Sequence, residues 1–428
     1  MAKHVHKMHE LCEITSSKRI FAADYKTEGV PFYRGKEINE KFRGNLYVST
    51  ELFIDRDKFE QIRTKFGAPI AGDLLLTSVG TLGSPYVIKE KEEFYFKDGN
   101  LTWFRNFKNL YSQFLYYWLQ SPQGKAELKK CTIGSSQSAY TIILLKEMEI
   151  YVPPLPTQRK IATILSAYDD LIENNLRRIK ILEEMAQNLY REWFVKFRFP
   201  GYQHVRFVDS PLDRIPEGWE VKQLGDIAVT ITKGTTPTTL GGKFTTDGVN
   251  FFKVESIDQE GGIVESKLAK IDADTHELLK RSQLQTGDIL FSIAGAIGRT
   301  TIISKRILPA NTNQALAIIR IPEENHKNYI YYCVRADEFQ HFSLGRVVQT
   351  AQANVSLGIL KSAPIVIPTK FLLNKFSSIA SSLMQIQENL RLRITILRRT
   401  RDLLLPRLIS GEVDVSELDI TIPEEDKA

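Results

Sequence analysis

Basic and polar side chains recur at matching places in the two halves of this 428-residue chain. Lys18 and Arg19 in the first half correspond roughly to Lys233, Thr235 and Thr236, grouped around Gly234, in the second. Arg34 corresponds to Lys253. Ser135, Ser136 and Gln137, which follow Gly134, correspond to a segment holding Thr350, Gln352 and Asn354. Arginine and lysine donate to guanine edges and phosphates, glutamine and asparagine pair with adenine, and serine and threonine serve either. The chemistry on offer is therefore non-covalent reading of a nucleic acid. Each loop alone is an ordinary surface loop, and a duplication copies structural loops too, so the recurrence adds only moderate weight.

Catalytic constellations are missing. There is no Gly-x-Gly-x-x-Gly, no His-Glu-x-x-His and no Gly-x-Ser-x-Gly. Gly241-Gly242-Lys243 is followed by Phe244, where a phosphate-cradling loop needs Ser or Thr. Val152-Pro153-Pro154-Leu155 lacks the polar and aromatic residues that bind a target adenine, and reads as strand-to-helix punctuation. His4, His6 and His9 read as a solvated terminus. No residue is assigned a catalytic, cofactor-binding or metal-binding role.

The elements that must position the polar loops form a tandem repeat. Gly72–Gly83 (GDLLLTSVGTLG) reappears as Gly287–Gly298 (GDILFSIAGAIG), and the same offset needs no gap from Asp73 to Leu189. Before that window the register drifts, yet Gly29–Arg34 still resembles Gly248–Lys253. In each half, short apolar runs bounded by Gly, Asp and Pro predict strands over 73–79 and 288–293, 47–54 and 251–257, and 149–152 and 364–367. Aromatics at helical spacing predict helices over 110–120 and 329–342. Each half is thus a mixed α/β block followed by a helix.

Those helices carry heptad seams. Ile161, Leu165, Ile172, Asn175, Ile179 and Leu182 lie on the first, which runs on to Trp193. Leu383, Leu390, Ile394 and Leu397 lie on the second, which runs from Phe376 to Leu408 and includes Ala380, Gln387 and Arg401. Steps of four and three define a coiled-coil face. Two such seams predict an intramolecular antiparallel coiled coil with a pseudo-two-fold axis between the blocks. Asn175 is expected opposite the region of Gln387 as a register-fixing polar pair, or else as a surface residue on a slightly misplaced seam. Ala380 and Arg401 weaken the second seam relative to the first. From Ile161 to Trp193 the seam spans about 48 Å at 1.5 Å per residue, which compares with roughly 34–36 Å per turn of DNA.

Composition narrows the class. The net charge is +6, the hydrophobic fraction 43% and the charged fraction 25%, ordinary for a globular chain and compatible with a nucleic-acid partner. No stretch is long and apolar enough for a membrane span, and no secretory signal opens the chain. Three scattered cysteines, Cys12, Cys131 and Cys333, build neither a disulfide framework nor a zinc site. A cytoplasmic setting is the expectation.

Four segments together resemble the specificity subunit of type I restriction-modification systems. They are Pro153-Pro154-Leu155-Pro156-Thr157-Gln158-Arg159-Lys160-Ile161, Leu189-Tyr190-Arg191-Glu192-Trp193-Phe194-Val195, Ile215-Pro216-Glu217-Gly218-Trp219, and the run from Leu403 to Val413. The resemblance implies two target-recognition domains, 1–155 and 201–370, a central helix over 156–200, a C-terminal helix over 371–412 and a tail over 413–428. It implies a chain without a catalytic centre that reads bipartite double-stranded DNA, one half-site per domain. It implies docking of two modification subunits, which are adenine methyltransferases, and of motor-nuclease restriction subunits. S-adenosylmethionine, ATP and Mg are then expected in those partners, with no cofactor in this chain. The competing class is a non-catalytic protein-interaction scaffold with two similar heads.

Overall fold

The computed structural model describes residues 5–44, 48–134, 138–345 and 354–422. Ser135, Ser136, Gln137, Thr350 and Gln352, expected among the DNA-reading residues, lie outside the described residues. The chain divides into two compact units, residues 1–177 with 391–428, and residues 178–390.

The first unit is built on an antiparallel sheet. Its strands are β1 (Glu13–Thr15), β2 (Leu74–Thr77), β3 (Pro85–Val87) and β4 (Leu101–Arg105), in the order β1-β4-β2-β3. The entry to β2 shows why these residues form a strand. Gly72 takes a φ of +87°, where a side chain would strain the backbone. The Asp73 carboxylate then accepts the Ile70 amide at 3.1 Å and closes the turn. Leu74, Leu75 and Leu76 follow, wholly buried. A smaller mixed sheet beside it pairs Val30–Tyr33 in parallel with Tyr95–Phe96.

The second unit repeats this plan with β5 (Thr230–Lys233), β6 (Ile289–Ser292), β7 (Thr300–Ile302) and β8 (Leu316–Arg320), ordered β5-β8-β6-β7. Leu74 faces Phe104 in the first sheet, and Ile289 faces Ile319 in the second. Gly287 takes a φ of +85°, and Asp288 accepts the Gln285 amide at 2.7 Å. The repeat thus extends to individual hydrogen bonds.

Three sequence expectations are corrected. Residues 48–52 are irregular, and only Phe53–Ile54 is strand. The strand expected over 251–257 is Val249–Phe252 followed by a 3-10 turn at Val254–Ser256. The helix expected over 329–342 is two helices, Glu324–Arg335 and Asp337–Leu344, broken where Ala336 is extended at ψ 149°.

The long helices are α1 (Leu155–Tyr190), closed by a π-turn over Arg191–Val195, and α2 (Lys370–Ser410). Pro156 sits inside the first turn of α1, where no intrahelical amide bond is lost. Ile161, Leu165, Ile172, Asn175, Ile179, Leu390 and Ile394 are buried, and Leu182, Leu383 and Leu397 half-buried.

Within each unit the two helices run antiparallel. In the first, Arg401 donates to Asp169, whose other oxygen accepts the Tyr117 hydroxyl at 2.7 Å. In the second, Gln387 donates to Glu183 at 3.3 Å. From Asp169 to Glu183 α1 advances fourteen residues, and from Arg401 to Gln387 α2 retreats fourteen. That register overturns the expected pairing of Asn175 with Gln387: Gln387 meets Glu183, and Asn175 lies level with Thr395. A single seam permits any slip of seven residues, so ion pairing decides which slip is used. Arg401, a weakness in an apolar seam, is thereby a register-setting residue.

The two cores use different side chains. The first packs Ile161 and Leu165 of α1 with Leu405, Leu408 and Ile409 of α2. In the second, Phe376 lies edge-on to Tyr190, Phe194 and Tyr332, with ring centroids 5.1–6.1 Å apart. The three cysteines are buried and unpaired. Among the described residues, no helix is long and apolar enough to cross a membrane.

Candidate nucleic-acid interface

Sheet topology gathers described polar residues of each block onto one rim. In the first block the rim starts where β1 ends. Ser17 donates to the Phe96 carbonyl at 2.7 Å, and the Lys18 amide to the Tyr95 hydroxyl at 2.7 Å. Arg19 pairs with Asp98 at 2.8 Å. The turn over Asp98–Asn100 abuts the end of β2, because the Ser78 amide donates to the Asn100 carbonyl at 2.8 Å. Val79 then bridges to Ala139, the residue beyond the Ser/Gln loop.

The second block repeats the last two of these steps and starts its rim through different bonds. The Thr235 amide donates to the Thr312 carbonyl at 3.1 Å. Thr236 bonds Gln314, and Arg281 donates to the Thr235 hydroxyl at 3.3 Å. Gly234 allows the close approach: a Cβ there would stand 1.9 Å from the Thr312 carbonyl oxygen. The Ile293 amide donates to the Ala315 carbonyl at 2.8 Å, and Ala294 bridges to Asn354. Lys233 and Asn354 are exposed on this rim.

Arg34 and Lys253 also have equivalent positions, each preceding a short helix. The Arg34 amide donates to Glu37 at 2.7 Å, and the Lys253 amide to Ser256 at 3.3 Å. Their side chains differ in freedom. The Arg34 guanidinium is held at 2.9 Å by Glu37, which is fully buried. Lys253 lies over the Phe244 ring, 4.8 Å from its centroid.

A groove in the first block is lined by Arg34, Lys36, Asn39, Arg43, Thr81 and Asn100, among others. Lys36, Asn39, Arg43 and Asn100 were not singled out from the sequence. They follow no period and match no motif. The only available signal was that Asn100 closes an Asp-Gly turn directly before the apolar run 101–104. Glu51 bonds Lys36 at 3.0 Å and Arg34 at 3.4 Å. These hydrogen bonds hold Glu51 below the usual carboxylate range, and Glu51 raises Lys36 in turn. The groove's cations are thus partly neutralised by an exposed carboxylate. Glu51→Gln is expected to strengthen DNA binding at low salt and steepen its salt dependence by about 0.9 in log–log slope, one more phosphate neutralised. Titrations from 50 to 200 mM salt read this; an unchanged slope removes Lys36 and Arg34 from the phosphate contacts.

A two-block chain with paired helices and polar rims defines a class of binding scaffold, and comparison with known proteins specifies it. The family model for the type I restriction modification DNA specificity domain matches twice, over residues 3–184 and 216–388. The chain belongs to the family of type I restriction-modification specificity subunits. It is 31% identical over 362 residues to the type I restriction enzyme MjaIX specificity subunit of Methanocaldococcus jannaschii, covering 81% of this chain and 79% of that one. It is 23% identical over 418 residues to the MjaVIII specificity subunit of the same organism, covering 91% and 92%. The crystal structure of the type I restriction-modification S subunit from M. genitalium shares its fold, with a TM-score of 0.55, 14% identity and 95% coverage of each chain.

Proposed function

We propose that the chain is the sequence-reading, non-catalytic subunit of a type I restriction-modification complex. Blocks 1–155 and 201–370 each read one half of a bipartite double-stranded DNA target through their rims. The helices over 156–200 and 371–412 dock two modification subunits, and restriction subunits join that core. S-adenosylmethionine, ATP and Mg belong to those partners. One observation carries the reading: a cation-bearing rim recurs in the second block, closed at its centre by the same backbone bond, Ser78 to Asn100 in one and Ile293 to Ala315 in the other. A reader needs the same platform twice with different side chains on it, and that is what the rims supply.

The test is selection of DNA from a randomised library by the chain assembled with its modification subunits. The expected result is two short specified segments around an unspecified spacer, with affinity falling steeply as salt rises. Alone, the chain is expected neither to methylate nor to cut DNA. Methyl transfer by the isolated chain, or salt-independent binding without sequence preference, overturns the proposal.

A further inference from the structure

A second groove of the first block runs beside the first and shares Asn100 with it. It is lined by Arg19, Phe21, Tyr25, Lys97, Asp98 and Asn100, among others. Two features stand out. Phe21, the residue before a 3-10 turn at Ala22–Asp24, leaves its ring 65% exposed. Asn100 uses its carbonyl to hold Ser78, while its side-chain amide makes no hydrogen bond to any described residue.

Lone exposed apolar residues are common and need no explanation. Here, however, the ring shares one groove with an amide and with two cations. Lys97 makes no ion pair among the described residues, whereas Arg19 is held by Asp98 at 2.8 Å. A ligand that matches all of these must be anionic at its margins, must offer an adjacent donor and acceptor, and must carry an apolar group beside them.

We propose that this groove reads one A·T base pair of the first half-site in the DNA major groove. The carboxamide of Asn100 donates to adenine N7 and accepts from the N6 amine, its matched bidentate partner. The ring of Phe21 covers the methyl group of the paired thymine, the one apolar group on the major-groove base edges. Adenine and thymine present both groups on the major-groove edge of one base pair, and Asn100 and Phe21 line one groove. Lys97 and Arg19 face the flanking phosphates. The second block has Ala315 at the position equivalent to Asn100, so its rim does not read this pair in this way. The proposal rests on the DNA-reading function above and adds a base identity to it.

The experiment uses the full chain assembled with its modification subunits and the target it selects. At one A·T pair of one half-site, uracil in place of thymine removes only the methyl, and 7-deazaadenine in place of adenine removes only N7. The wild-type complex is expected to lose affinity several-fold with uracil and about tenfold with 7-deazaadenine, the scale of one bidentate contact. Phe21→Ala should abolish the uracil effect and keep the 7-deazaadenine effect. Asn100→Ala should do the reverse. The proposal is overturned if no pair in either half-site responds to either analogue, a comparison that needs no variant. It is also overturned if both variants weaken all DNAs uniformly, which makes the groove a backbone contact and leaves the DNA-reading function standing. Absence of any salt-dependent, sequence-selective binding by the wild-type complex overturns that function as well.

Discussion

Glu183→Ala is expected to destabilise the second unit by about 3–5 kcal/mol, the usual result of stripping one partner from a buried ion pair. Glu183 lies on α1 and Arg335 at the end of the helix Glu324–Arg335, and their side chains are 5% and 9% exposed and 2.9 Å apart. Arg335 also donates to the Tyr331 hydroxyl at 2.9 Å and to the Glu260 carbonyl at 3.1 Å. It therefore pins the recognition block to α1 through three elements at once. Without the carboxylate, its charge stays buried among carbonyls that do not neutralise it. The double variant Glu183→Met with Arg335→Leu should recover most of the loss, since it removes both charges and keeps apolar volume. Urea unfolding, followed by the fluorescence of Trp193 and Trp219 in this core, measures it. A cost under about 1 kcal/mol for Glu183→Ala shows that the pair is hydrated and contributes as a surface pair does.

Removing one heptad from each long helix is expected to shorten the preferred DNA spacer by about three base pairs. The heptads are Asp170–Leu176 of α1 and Ile394–Thr400 of α2, which face each other in the register set by Asp169 with Arg401. Their loss keeps the seam in phase and keeps that ion pair. It shortens the helical segment between the blocks by about 10 Å, and a base pair rises about 3.4 Å. The half-site bases should not change, because no rim residue is touched. Deleting residues from α1 alone breaks the register and is expected to destabilise the chain. Selection from a library of randomised spacer length reads the outcome. An unchanged spacer shows that the helices do not set the distance, and altered half-site bases show that reading is not confined to the rims.

The repeat, the two helices and their apolar faces are legible in the chain as written. These are local or periodic properties. A heptad pattern shows which face of α1 is apolar, and Ile161, Leu165 and Ile179 are buried there accordingly. The Gly-Asp entry to β2 and β6 was equally legible, because a positive φ and a carboxylate-closed turn act within four residues. The resemblance of the helix-flanking motifs to specificity subunits carried the function, which composition alone left open between a DNA reader and a protein scaffold.

Register, helix breaks and the shared edges of the polar loops arise from long-range contacts. Seam register was invisible because apolar packing repeats every seven residues; Asp169 with Arg401 and Glu183 with Gln387 select one alignment through charge and hydrogen bonding. The single helix expected over 329–342 was broken at Ala336, where Arg335 on one side of the break meets α1 and Phe339 on the other meets Phe291. The rims depended most on topology. Lys18, Arg34, Ser78 and Asn100 carry no shared pattern along the chain. They become neighbours because the order β1-β4-β2-β3 lays the end of β2 against the start of β4, and because the paired Val30–Tyr33 and Tyr95–Phe96 bring the Arg34 turn to the same edge. Hydrophobic periodicity specifies which faces are buried; which polar loops then share an edge is set by strand order, and strand order is a property of the folded chain.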